Sequence, residues 1–341
     1  MMNILVTGGA GYIGSHLVKN LLKEGFSVIV FDNLSTGFIE TIEILRQRYP
    51  KHLEFIKCDL SDKEKLAEIF ETREIETVMH LAAKIDVAES VEKPELYHQE
   101  NYLNSINLLE AMTAAGVKKL IFSSTAAVYG NPLYTPIDEK HPTNPLNPYA
   151  QTKLDFEKYL SKVENLNYVI LRYFNVGGSD PSGLIGKSHL QSGDLMENIL
   201  KVALGRDEKI QIFGDNYETS DGTPIRDFVH VEDVAAAHVL TLKDIDRYFG
   251  ESFNLGSESG FSVKEFIDKA SIIIEREIPT ETVARRPGDV AVSVASSQKA
   301  KEILGWNPQY SDLDSIIRSD WNWRKVHPLG YTRYGDRVVK L

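Results

Sequence analysis

Residues 3–32 constrain the fold of this chain more than any other stretch. Asn3-Ile4-Leu5-Val6-Thr7 is a short, mostly apolar run that reads as a buried parallel strand, and it breaks at Gly8-Gly9-Ala10-Gly11-Tyr12-Ile13-Gly14. The period then changes. Ile13, Leu17, Val18, Leu21 and Leu22 recur at helical spacing, Gly25 ends the helix, and Ser27 to Phe31 form a second apolar strand closing on Asp32. Gly8 permits the tight turn, Gly11 lets main chain approach a pyrophosphate, and Gly14 lets the helix lie close to the sheet. Tyr12 and Ile13 are candidate cofactor contacts in this stretch, and the helix has its positive end aimed at the phosphates. Asp32 follows Gly14 by 18 residues, where a carboxylate takes the adenosine ribose hydroxyls and repels a 2'-phosphate. The stretch reads as a dinucleotide site that favours NAD over NADP.

The 341 residues suffice for one large core and a smaller one. A net charge of −11 gives no encouragement to nucleic-acid or anionic-membrane binding, although a few placed arginines can override the mean field for a small anion. Cys58 is the only cysteine, which excludes an intrachain disulfide and a cysteine-rich metal site. No 18-residue apolar run occurs, and the first strand starts almost at Met1, leaving no room for a signal peptide; a cytoplasmic location is expected. No internal repeat stands out.

Beyond Asp32, Asn33-Leu34-Ser35-Thr36-Gly37 is a polar turn suited to wrapping the adenine ribose, with Asn33, Ser35 and Thr36 as its polar groups. Leu53 to Lys57 is a third strand ending at Cys58-Asp59-Leu60. Asp59 can reach an adenine amino group from there or cap the helix starting near Asp62. Glu76 to Leu81 is a fourth strand, and the small residues of Ala82-Ala83-Lys84 at its mouth let a dinucleotide lie against main chain. A single long helix is predicted from about Pro94 to Ala115; it contains Asn101, as a polar surface group or as a structural or cofactor-side one. Lys119 to Phe122 is a fifth strand running into Ser123-Ser124-Thr125, hydroxyls crowded where doubly wound sheets bind ligands. Gly130 to Pro148 reads as an ordered surface loop, and Tyr168 to Arg172 as a sixth strand ending in Tyr173-Phe174-Asn175.

After Gly177 the texture changes, and Gly177 to Gly193 suggests a long loop. Short strands and helices alternate beyond it, with helices over Leu195 to Leu204, Val231 to Leu242 and Ser262 to Ile274. The predicted fold is α/β: a Rossmann-type doubly wound parallel sheet over residues 1–175, with the chain returning to it around 226–255. A smaller, mixed α/β C-terminal substrate domain occupies most of 176–341.

Tyr149 and Lys153 are four residues apart, on one face of a helix near its N-terminus. A phenol near pKa 10 is a poor base at pH 7, and lowering it by about three units needs roughly 4 kcal/mol of phenolate stabilisation. A neighbouring ammonium and the positive charge of oxidised nicotinamide are suitable sources. Thr125 supplies a hydroxyl to bridge substrate alcohol and phenolate. Base, activator and donor together make a hydride-transfer set. Arg226 and Arg286, each at the edge of an element, have the planar fork that suits phosphate, or they pair locally with Asp227 and Asp289. The histidines show no metal-ligand spacing, so no metal site is expected.

The chain resembles the extended short-chain dehydrogenase/reductase family and, within it, the UDP-glucose (UDP-galactose) 4-epimerases. Residues 7–16, Asp32-Asn33-Leu34, Ser123-Ser124-Thr125, Tyr149-x-x-x-Lys153, Arg172-Tyr173-Phe174-Asn175, Asp221-Gly222-Thr223, 226–231 and Arg286-Pro287-Gly288-Asp289 carry the resemblance, in order along nearly the whole chain. It implies a tightly held, recycled NAD and a UDP-hexose substrate. Tyr149 would take the proton of the C4 hydroxyl, Thr125 would hydrogen-bond O4, and Lys153 would lower the tyrosine pKa and hold the nicotinamide ribose. Leu60, Leu81, Ala82, Ala83, Lys84, Asn101, Ser123 and Tyr173 would lie along the cofactor, with Asp59 on adenine. Lys84 would serve near cofactor and substrate alike. Asn175, Asp194, Leu195, Arg226 and Arg286 would hold the UDP-sugar, the arginines on its diphosphate, with Asp289 near the uridine ribose. Family members commonly form homodimers through two helices, expected here near 94–115 and 149–162.

Two departures matter. Asp194 stands where the family usually has asparagine or histidine, and an anion near a diphosphate is unfavourable unless it points away or pairs. Ser293 stands where some members have a bulky tyrosine walling the sugar pocket, so the resemblance implies turnover of UDP-N-acetylhexosamines as well. The related 4,6-dehydratases carry an Asp-Glu pair after the threonine; Ala126-Ala127 occupy those positions here.

Overall fold

The computed structural model describes residues 2–188, 194–286 and 289–331. The strands are β1 Asn3–Thr7, β2 Ser27–Asp32, β3 Leu53–Lys57, β4 Thr77–His80, β5 Lys119–Thr125, β6 Asn167–Tyr173, β7 Asn175–Gly177, β8 Ile210–Phe213, β9 Ile225–His230, β10 Ser252–Leu255, β11 Gly260–Ser262, β12 Thr280–Val283 and β13 Val292–Ser293. A seven-stranded sheet has the order β10-β6-β5-β4-β1-β2-β3, with β1 paired in parallel to β2 and β4. The strand order reverses between β1 and β4, the place where doubly wound sheets bind ligands at their carboxyl ends. The near-continuous apolar runs of β1, β2 and β5 follow from burial on both faces.

Two compact units result. The first comprises 1–130, 142–173 and 235–253, and the second 131–141, 174–234 and 254–341. The return to the first unit is shorter than the 226–255 read from sequence. The reason is pairing: β9 is bound by β7, β11 and β13, all of the second unit. Leu5, Phe31, Val78, Leu120, Phe122 and Phe156 belong to the core of the first unit. The second unit has its own core, including Ile199, Phe228, Phe266 and Ile317.

The helix predicted from Pro94 to Ala115 is not regular. It runs as Pro94–Tyr97, a π-helical segment His98–Leu103, and Asn104–Ala114. The apolar period through this stretch does not register an inserted residue, and Asn101 lies inside the π segment, the kind of irregularity that recurs at functional sites. Part of the predicted Gly177–Gly193 loop, residues 189–193, lies outside the described residues, as do Pro287 and Gly288.

Candidate active site

In the first unit the phosphate loop is set by steric limits. Gly8 has φ +71°, and a Cβ there would meet the Ala82 nitrogen at 2.7 Å. At Gly14 a Cβ would fall 2.1 Å from the Gly8 carbonyl oxygen, so only glycine lets the first helix, Tyr12–Lys23, lie this close to the loop. Gly11 is the N-cap of that helix and puts no side chain over its first turn. These features fit a dinucleotide pyrophosphate on the helix N-terminus.

Asp32 is buried at the end of β2. Its two carboxylate oxygens accept the Ala10 and Leu34 amides at 3.0 and 2.8 Å. Burial raises its pKa, opposed by those two hydrogen bonds. Asn33 donates to Asp59 at 2.6 Å, and its own oxygen takes the Ser35 amide, while Ser35 and Thr36 are exposed on the turn. The capping alternative for Asp59 falls away, because Asp62 caps the following helix. Asp59 instead accepts from Ser61 and Asn33, which hold its carboxyl below the ordinary range against the effect of burial. Leu60 is buried beside it.

The segment Leu81–Lys84 is held by polar groups that no local pattern links. Thr7 Oγ1 accepts the Leu81 and Ala82 amides and bonds His80 Nδ1 at 2.7 Å. His80 Nε2 bonds Ser105 Oγ, which donates to the Asn101 carbonyl. The Asn101 side chain clamps the Lys84 backbone at both ends, N–H and C=O, and reaches Thr152 on the Pro148–Leu160 helix. Asn101 is thus a buried structural group, not a polar surface residue. Burial, with the Lys153 cation adding to it, pushes the His80 pKa down to about 3, so its imidazole is neutral.

The Pro148–Leu160 helix opens on Asn147, whose side chain caps Ala150. It carries Tyr149 and Lys153 one turn apart. Thr125 stands near the Tyr149 phenol and favours its anion, and its Oγ1 accepts the Ala127 amide at 3.2 Å. Lys153 is buried, donates to the Ser123 carbonyl at 2.9 Å, and lies 4.9 Å from the Phe122 ring centre. Burial pushes Lys153 down to about 7, with Glu157 opposing. Burial also pushes the Tyr149 phenol up, with Thr125 opposing. Burial thus outweighs Thr125, and the net shift of the phenol is upward.

Ser123 is engaged rather than free. Its hydroxyl bonds Tyr173 Oη at 2.6 Å, and Tyr173 bonds His238 Nε2 at 2.7 Å. Glu157 binds the Arg172 guanidinium through both oxygens and takes the Ser124 hydroxyl. His238 had no local signal as a site residue, and Arg172 entered only as part of the motif that carries the resemblance. Glu157 did have one, a carboxylate one turn beyond Lys153 on the same helix face.

The second unit holds a cavity of about 280 Å³ whose lining includes Asn175, Asp194, Leu195, Phe213, Arg226, Arg286 and Asp289. Arg226 donates to the Ile225 and Val290 carbonyls and lies 3.5 Å from Asp289. Its neighbour Asp227 is fully buried and accepts from Ser257, Glu258 and Ala295, so the local Arg226–Asp227 alternative does not occur. Arg286 sits over Phe213, 3.6 Å from the ring centre. Asn175 donates to the Asp227 carbonyl. Asp194 caps the Leu195–Ala203 helix by accepting the Glu197 amide, and its other oxygen takes the Lys187 ammonium. The objection to an anion there is met by that pair. Ser293 is the register partner of Arg226 across the β13–β9 pair and therefore lies on the same sheet face. No group of three His, Cys, Asp or Glu among the described residues is placed to hold a metal ion, and none of their helices is long and apolar enough to cross a membrane.

Comparison with known proteins bears on the whole chain. The UDP-glucose 4-epimerase of Halalkalibacterium halodurans is 46% identical over 336 residues, 97% of this chain and 98% of that protein. A crystal structure of UDP-glucose 4-epimerase from Stenotrophomonas maltophila, with bound NAD and formylated UDP-arabinopyranose, matches with a TM-score of 0.92 at 39% identity, covering 96% of this chain and 99% of that one. The UDP-Glc/GlcNAc 4-epimerase of Campylobacter jejuni matches with a TM-score of 0.83 at 37% identity, covering 96% and 100%. Residues 4–256 match the NAD dependent epimerase/dehydratase family, and with the glycine loop, Tyr149, Lys153 and Thr125 in the arrangement above, the chain belongs to that family.

Proposed function

We propose that this chain is an NAD-dependent 4-epimerase that interconverts UDP-glucose and UDP-galactose. The observation that carries the reading is Tyr149 beside the Thr125 hydroxyl, with buried Lys153 one helical turn away. The glycine loop, Asp32, Asp59, Lys84 and Lys153 would hold NAD, which when bound supplies an acceptor and source for the C4 hydride together with a positive charge. Tyr149 takes the C4 hydroxyl proton and Thr125 holds O4. A phenol raised by burial serves as base only when cations stabilise its anion, and Lys153 is the one this chain provides. The 4-keto sugar turns about its bond to the pyrophosphate and presents its other face, and Tyr149 returns the proton to O4. Arg226 and Arg286 keep the diphosphate in place through the turn.

Ala126 and Ala127 follow Thr125, so the acid that dehydration needs is missing and epimerisation is favoured over water elimination. The test is conversion of UDP-galactose to UDP-glucose by purified protein; inertness toward both sugars would overturn the reading.

The same reading extends to UDP-N-acetylglucosamine and UDP-N-acetylgalactosamine. Ser293, the register partner of Arg226, carries less bulk than the tyrosine of some family members and would leave room for a 2-N-acetyl group as the keto sugar turns. The activity named for the Campylobacter jejuni relative supports it. Absence of UDP-N-acetylglucosamine turnover beside good UDP-galactose turnover sinks this extension, and Ser293→Tyr is expected to depress it selectively. Homodimerisation through the helices near 94–115 and 149–162 belongs to the reading too. Sedimentation at a monomer's mass would remove it.

A further inference from the structure

The formal charges of the side chains that line the cavity of the second unit cancel. Arg226 and Arg286 contribute two positive charges, and Asp194 and Asp289 two negative ones. A pocket so balanced has little net attraction for a diphosphate. Lys187 changes that sum without lining the cavity itself. Its ammonium is bonded to Asp194 Oδ2, and its side chain is only 14% exposed. The other oxygen of Asp194 is committed to the Glu197 amide at the start of the Leu195–Ala203 helix. Both oxygens thus face donors of the protein. Burial works against the Lys187 charge, but Asp194, with Asp320 and Glu197 behind it, holds its pKa above the ordinary value, so the cation persists.

We infer that Lys187 is a positioning residue for the anionic part of the substrate: by binding Asp194 it silences that carboxylate and leaves the pocket net positive toward a diphosphate. The inference rests on the proposed UDP-sugar site. Lys187 needs no contact with the ligand to act in this way. Its effect is the difference between a neutralised and a bare carboxylate on the cavity wall.

The experiment compares binding of UDP and of uridine to the intact protein by calorimetry, using uridine as the uncharged probe. Lys187→Met is expected to weaken UDP binding tenfold or more and to leave uridine within about threefold, with the deficit shrinking as salt is raised. In Lys187→Met/Asp194→Asn the UDP affinity returns to within about threefold of the parent, because asparagine keeps the cap and removes the charge. Asp194→Asn alone, which keeps the helix cap, is expected to bind UDP more tightly and uridine equally. Equal losses for UDP and uridine in Lys187→Met, no recovery in the double variant, or weaker UDP binding by Asp194→Asn would each overturn the inference. A parent protein that binds uridine and UDP not at all would instead overturn the proposed function, and this inference with it.

Discussion

The two units solve the problem of a polar site in opposite ways. In the first, beside buried Lys153 and the buried Arg172–Glu157 pair, neutral polar groups are tied to one another: Thr7–His80–Ser105, Ser123–Tyr173–His238, and the Asn101 clamp on Lys84. Buried hydrogen-bonded chains of this kind are costly to break and hold their members in one geometry. In the second, the cavity is lined by full charges in pairs, Arg226 with Asp289 and Asp194 with Lys187, the members less deeply buried. A rigid neutral network suits proton transfer, where small displacements matter. Paired charges at a cavity wall suit an anionic ligand, which can take over one partner of a pair.

If that contrast is right, variants in the first unit should act on turnover and variants in the second on affinity. The largest effect is expected from Tyr149→Phe, which should lower kcat by roughly 10²–10⁴ with KM little changed, provided NAD still elutes with the protein. Undiminished turnover would break the comparison at its strongest point. Next, Arg226→Gln should raise KM for UDP-galactose by roughly ten- to a hundredfold through loss of charge-assisted hydrogen bonds worth about 1.5–3 kcal/mol, with kcat within a few-fold. A fall in kcat alone would mean that the arginine serves the chemistry instead.

Gly14→Ala comes third. The added methyl must push the Tyr12–Lys23 helix off the Gly8 carbonyl, at about 1–3 kcal/mol of stability, and should reduce bound NAD measured by absorbance. Wild-type NAD content in this variant would show that the close approach is not what holds the cofactor.

The smallest effect tests the neutral network by pH. The folded His80 pKa is about 3, below the unfolded value of about 6.5, so in that window the unfolded chain binds the extra proton. The contribution of His80 to stability is therefore full above about pH 6.5 and is lost as pH falls, by about 1.4 kcal/mol per pH unit. Urea unfolding at pH 7, 6 and 5 should show this slope in the wild type and one proton less of it in His80→Gln. Equal slopes would mean that the imidazole is not held neutral.

Much of the first unit was legible in the sequence because its determinants are local. Strand, glycine turn and helix are consecutive from Asn3 to Lys23, and Tyr149 and Lys153 share a helix face by spacing alone. The acid at 32 follows from the same βαβ unit. What could not be read there were partners brought in by topology. His238 meets Tyr173 across 65 positions, and Thr7 meets His80 across 73. The π segment at His98–Leu103 escaped as well, since an inserted residue leaves the apolar pattern nearly intact.

In the second unit the residue types suggested a place for an anion, yet their pairing stayed open. Arg226 takes Asp289 rather than the adjacent Asp227, because successive residues of a strand point to opposite faces. By itself the sequence determined the parallel α/β class, the glycine loop and the shared helix face of Tyr149 and Lys153, all of which rest on short-range periodicity and steric limits. Only the tertiary structure decided which charges neutralise which, and that burial raises the Tyr149 phenol and depresses the Lys153 ammonium. Pairing and desolvation depend on what the fold packs against each group, and residues distant in the chain supply it.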